Sequence, residues 1–188
     1  IGSISDSDPQ PLLIRSHHGT YAICTVNIVP KGGEWAENQD SVEKEYRMIV
    51  KTGASGKAFT DYGEGWVYAV EQSQLQPTTL VLFDDWVAPD GEFDYSDYTD
   101  DGALYLNDLT MNLTIDLNGH KIDRNLTEAT DDGLVFWIYD YDAKLTIKDS
   151  VGGGKIKGAN NTGNGGAFYV YDGALFIEGG EITGNKAT

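Results

Sequence analysis

The chain is poor in the residues that usually carry chemistry. Its single cysteine, Cys24, cannot close a disulfide within the molecule. Cys24 lies in the apolar run Tyr21–Val29 and reads as a buried, inert thiol. The neighbouring His17-His18 pair offers a Cys/His nucleophile or zinc pair as the other reading, but metal-ligand spacing is missing. Basic residues are scarce as well: 13 Lys and Arg stand against 30 Asp and Glu, for a formal charge of −17. That balance argues against nucleic acid and against anionic membrane surfaces as partners. It suits either solubility outside a cell or a surface loaded with cations. No stretch approaches the roughly 18 apolar residues of a membrane span, so no membrane insertion is expected. What remains is 40% hydrophobic and 11% aromatic, too apolar for a disordered chain. Its 188 residues suffice for one core and a small appendage.

The second half says roughly the same thing three times. Gly102-Ala-Leu-Tyr-Leu-Asn107 leads into Leu113-Thr-Ile-Asp-Leu-Asn-Gly-His-Lys-Ile122. Gly133-Leu-Val-Phe-Trp-Ile138 leads into Leu145-Thr-Ile-Lys-Asp149 and Gly152-Gly-Gly-Lys-Ile-Lys-Gly158. Gly166-Ala-Phe-Tyr-Val-Tyr-Asp172 leads into Leu175-Phe-Ile-Glu-Gly-Gly-Glu-Ile-Thr-Gly-Asn185. The Leu-x-Ile anchors at 113, 145 and 175 are 32 and 30 residues apart, a period that marks stacked repeats. Short apolar alternation broken by Gly, Asn and Asp reads as strand and turn. One such coil cannot enclose its apolar face, so neighbours must stack into a continuous core. Asn118-Gly119, Gly152–Gly154 and Asn185 are the expected corners, with Ile156 and Ile182 pointing inward from a second strand of each coil.

These motifs carry a resemblance. Leu-Thr-Ile-Asp-Leu-Asn-Gly-His-Lys-Ile122 and the Gly-Gly-x-Ile-x-Gly turns resemble the right-handed parallel β-helix of the pectin-lyase-like superfamily. More narrowly, they resemble the β-helical domains of secreted and wall-attached bacterial surface proteins. The resemblance covers roughly residues 63–188. It implies an all-β solenoid with an N-terminal cap and a secreted or cell-surface location, but it does not fix a function.

In chain order, residues 1–62 are expected to form a lead-in and a β-rich cap or subdomain. Strands fall at Tyr21–Val29 and Tyr46–Lys51, around a polar segment containing Gly32-Gly33. Residues 63–188 are expected to form a capping helix and a truncated parallel β-helix. Trp66, Ala69 and Val70, at i, i+3 and i+4, share one face of a short amphipathic helix. The strand Thr78–Phe83 follows. Helix and strand are expected to cover the open end of the solenoid, which is otherwise an unpaired edge, so Trp66 is read as cap packing. The chain starts at Ile1 without a signal-peptide pattern and stops within a repeat. It is therefore expected to be a fragment, continued by further C-terminal coils.

Two constellations could bind. Asp84–Asp101 holds eight carboxylates and no basic residue. Its Asp94, Asp97, Asp100 and Asp101 are candidate Ca²⁺ ligands, since calcium takes six to eight oxygens. The spacing is not that of an EF-hand, and a solvated insertion is the other reading. The second constellation follows from alignment on the Leu-x-Ile anchors, which makes Leu106, Ile138 and Phe168 equivalent inward positions. On the outward face Tyr105 then lies over Trp137, Tyr139 over Tyr169, and Tyr141 over Tyr171. With Asp140, Asp142 and Asp172 beside them, these six rings are the candidate ligand-binding residues, for glycan or for a host surface protein. The alternative is a ladder that only stabilises the solenoid.

The function these features suggest is a non-catalytic, adhesin-like module of a surface protein. A structural stalk is one rival. Another, implied by the superfamily, is part of a polysaccharide lyase or hydrolase, which would use an Arg or Lys beside acidic calcium ligands or a cluster of aspartates. Neither active-site pattern can be matched here, and no catalytic residue is assigned. Arg124 is the only arginine within the repeats, and Asp131-Asp132 reads as a turn. Asn112, Asn125 and Asn160 lie in Asn-x-Thr sequons, which matter only in a eukaryotic secretory pathway.

Overall fold

The computed structural model describes residues 12–16, 19–23, 46–107 and 110–188, and the chain falls into two units, 1–42 and 43–188. In the first, Leu12–Ser16 and Gly19–Ile23 pair as an antiparallel hairpin, with Leu12 opposite Ile23. Cys24, His17-His18 and the Gly32-Gly33 segment lie outside the described residues.

The second unit is a β-solenoid of about three turns with a single helix among the described residues. Three parallel sheets form its walls. Sheet A stacks Thr78–Leu82, Asn112–Asp116, Lys144–Lys148 and Ala174–Ile177. Sheet B stacks Trp86–Val87, Lys121–Asp123, Lys155–Lys157 and Glu181–Ile182. Sheet C stacks Ala103–Leu106, Phe136–Ile138 and Phe168–Val170. The anchors stand in the expected register, Leu113 beside Leu145 beside Leu175, and Ile122, Ile156 and Ile182 align on sheet B. Alternation sends Leu113, Ile115, Leu145 and Ile147 into a core that also buries Leu104, Leu106, Phe136 and Ile138. Exposure grows in the last coil, where Phe176 and Ile177 are 50% and 44% exposed.

The first coil is covered by a cap. Helix α1, Tyr62–Leu75, starts at Asp61, whose carboxylate accepts the Glu64 N–H. It buries the face carrying Trp66, Ala69 and Val70, as its spacing predicts. Trp66 is fully buried and donates its indole N–H to the Tyr98 carbonyl at 2.8 Å, so it packs the cap. Sheet A is extended by Met48–Thr52, antiparallel to Thr78–Leu82, and by its hairpin partner Ser55–Phe59. Sheet C is closed on one side by Thr99–Asp100, antiparallel to Ala103–Leu106. A sheet edge paired in this way no longer presents free backbone groups.

The acidic segment 84–101 corrects its reading as a solvated insertion. Its carboxylates are mainly exposed, but Trp86, Ala88 and Phe93 are buried between them. The Trp86 ring contacts Tyr62, Trp66, Phe93 and Tyr95 at centroid distances of 5.3–6.0 Å. Charge dominates the composition of the segment, and apolar packing at these few positions decides its fold.

Corners are held by side chains reaching backbone groups. Asp116 accepts N–H groups from Asn118 and Ser150. Asp149 accepts from Gly119 and Gly154. Asn185 accepts from Ala159 and donates to Ile156. Gly158 has φ of 82°, and a Cβ there would collide with Asp123 Oδ1 and the Asn125 nitrogen, so this corner needs glycine on both counts.

Candidate functional site

Sheet C turns Leu104, Leu106, Phe136 and Ile138 inward, so alternation turns Tyr105, Trp137 and Tyr169 outward. The register there is Tyr105 beside Trp137 beside Tyr169, with Phe136 beside Phe168 and Ile138 beside Val170. Expected pairs Tyr105/Trp137 therefore hold, while Tyr139/Tyr169 and Tyr141/Tyr171 do not. Phe168 likewise lies beside Phe136 rather than Ile138. Tyr139 instead stacks on Tyr171, centroids 5.0 Å apart and planes 11° from parallel. Five residues, 139–143, join sheet C to sheet A in the second coil, whereas three, 171–173, do so in the third. Counting back from the sheet A anchors carries that two-residue difference into sheet C. The signal was present in the sequence: Tyr-Asp-Tyr-Asp-Ala143 shortens to Tyr-Asp-Gly173.

Five of the six candidate rings form one contiguous patch of two ladders. In one, Tyr105 and Tyr169 lie 5.3 and 5.9 Å from Trp137. In the other, Tyr139 and Tyr171 stack on each other. Lateral contacts of 6.2–6.4 Å tie the ladders together: Tyr105 to Tyr139, Trp137 to Tyr139, and Tyr169 to Tyr171. Tyr139 and Tyr171 are 42% and 58% exposed, and the other three rings are half-buried. Tyr141, 75% exposed, stands apart and makes no ring contact among the described residues. The Trp137 indole N–H is buried without an acceptor, whereas buried Trp donors usually find one.

Carboxylates border this patch. Burial first, then the charge of Asp100, the Tyr139 phenol and the charge of Asp140, raise the Tyr105 phenol above its usual value. Asp142 and Asp172 occupy the two turns that follow the ring-bearing strands. Such a face offers π-surfaces, hydroxyls and acceptors.

The four candidate calcium ligands do not form one metal-holding group among the described residues. Among the described residues, no three His, Cys, Asp or Glu side chains gather where they could hold a metal ion. Asp94 lines an open groove of about 600 Å³ beside α1, together with Lys57, Asp61, Tyr68 and Tyr95. Asp97 sits exposed in a 3₁₀ turn. Asp100 and Asp101 act on Asp132, whose carboxyl is raised by burial and then by Asp101, Asp131 and Asp100.

Arg124 is 1% exposed and donates to the Asp101 carbonyl at 2.7 Å, with its guanidinium 6.0 Å from the Phe93 ring. Burial lowers its pKa to about 10, against the charges of Glu92 and Asp101. It is walled into the corner beneath Gly102, where a Cβ would touch the guanidinium. It is not placed to touch a ligand on sheet C. Asp131 and Asp132 form a turn, as expected, with Asp131 accepting the Thr162 hydroxyl.

No protein family, curated protein or solved structure matches the chain.

Proposed function

We propose that this is a non-catalytic, adhesin-like recognition module whose binding surface is the outward face of sheet C. The fold is read more narrowly as a right-handed parallel β-helix of the pectin-lyase-like superfamily. Its carrier is read as a secreted or wall-attached bacterial surface protein, and its ligand as a glycan or a host surface protein. One observation supports this above the others: five contacting rings on one outward sheet face, two of them more than two-fifths exposed. Contiguous exposed apolar surface marks interaction sites more often than isolated exposed residues do, and Tyr and Trp dominate binding hot spots. Replacing Trp137, Tyr139 and Tyr169 together by Ala tests it, with binding read on a panel of glycans and host surface proteins. The expected result is retained folding with affinity lowered at least about tenfold. Undiminished binding by the folded variant would rule out this face.

A further inference from the structure

Charge is segregated around the solenoid. Among the described residues, every side-chain ion pair takes its cation from His120, Lys121, Lys148, Lys155 or Lys157, on sheets A and B and the corner between them. Sheet C has none. The sequence holds no Lys or Arg between Lys57 and Lys121, between Arg124 and Lys144, or between Lys157 and Lys186. Those three gaps contain every strand of sheet C and every turn that follows one. Asp100, Asp140, Asp142 and Asp172 thus flank the rings with no counter-charge on that wall.

The rings around Trp137 do not form a shelf, and the one near-parallel pair, Tyr139 and Tyr171, is stacked on itself with centroids 5.0 Å apart. Trp137 is tilted 58° from Tyr105, 48° from Tyr169 and 74° from Tyr139. Consecutive sugar rings need neighbouring platforms of similar orientation, whereas single side chains insert between tilted rings. A guanidinium stacks flat on one aromatic face and donates its remaining N–H groups to a carboxylate. We infer that the ligand of sheet C is an arginine-rich segment of another protein, its guanidinium groups seated among Tyr105, Trp137, Tyr139, Tyr169 and Tyr171 and paired with Asp100, Asp140 and Asp172. This rests on the reading of sheet C as the binding face.

The test is fluorescence anisotropy of a labelled deca-arginine peptide on the intact chain, with labelled cellohexaose as a neutral-glycan arm. Asp140→Asn with Asp172→Asn is expected to weaken peptide binding about tenfold. Glu71→Gln with Glu178→Gln, an equal charge change at exposed sites off this face, is expected to change it by no more than about twofold. Trp137→Ala alters no charge and is expected to match the first pair; Tyr171→Ala, at a more exposed ring, replaces it if it unfolds the chain. Equal losses from both carboxylate pairs would mean diffuse attraction to an acidic protein and would overturn the inference. Trp137-dependent cellohexaose binding without peptide binding would overturn it too, yet leave sheet C as the binding face. If neither probe binds through these rings, the inference and the proposed face fall together.

Discussion

Trp137 sits between Tyr105 and Tyr169 with its indole N–H buried and without an acceptor. An unsatisfied buried donor costs about 1–3 kcal/mol, which offsets the packing that the larger indole adds over a phenyl ring against Tyr105 and Tyr169. Trp137→Phe is therefore expected to keep or raise the melting temperature while weakening ligand binding. A clear fall in melting temperature with unchanged binding would assign the residue to stability instead. The outward aromatics themselves were legible from alternation, because Tyr105, Trp137 and Tyr169 alternate with apolar neighbours. Which ring meets which needed the length of the following turn as well, which alignment on the Leu-x-Ile anchors alone passes over. Tyr139 and Tyr171 lie just past their strands, and their pairing depends on a turn two residues shorter in the third coil than in the second.

Turns and caps decide more than strands do at the scale of the element. The helix was legible because Trp66, Ala69 and Val70 share a face. The first strand of sheet B was not, because Trp86 stands in a run of carboxylates whose charge hides its packing. Corner carboxylates also carry a pH dependence. Burial alone would raise Asp116, but hydrogen bonds from the Ser150 N–H and hydroxyl and the Asn118 N–H, with Lys148, bring it below its usual 3.8. Asp149 is likewise lowered, by four backbone N–H groups against burial. A carboxylate lowered in the folded state contributes stability above its unfolded value and loses it as pH falls through the folded one. Asp132 is raised, so its penalty applies above its folded value and is relieved on acidification. The melting temperature is thus expected to rise slightly as pH drops from neutral, then to fall below 3.8. Asp116→Asn should blunt the acid limb and leave the mild rise. A profile that declines steadily from pH 7 would contradict the Asp132 assignment, and one without a fall below 3.8 would contradict those of Asp116 and Asp149.

For the whole molecule, stacking explains why a chain with so little catalytic vocabulary still forms a firm scaffold. Each coil closes the apolar face of the one before it, and α1 with the Met48–Phe59 hairpin covers the first. The walls differ in what they present: sheets A and B carry paired lysines and carboxylates, while sheet C carries rings and carboxylates that make no ion pair among the described residues. That division could be drawn only after the coils were stacked, because the aromatic residues are scattered over 67 positions of sequence, from Tyr105 to Tyr171. Hydroxyl-radical footprinting tests the account most directly, since it reads side-chain access in the unaltered chain, first with the deca-arginine peptide and then with cellohexaose. Recognition through sheet C predicts that oxidation of Trp137, Tyr139, Tyr169 and Tyr171 falls when one of these probes is bound, while the exposed Tyr46 and Phe176 stay as reactive as before. Protection of Phe176 or Tyr46 with the sheet C rings unchanged would place recognition elsewhere and contradict the account.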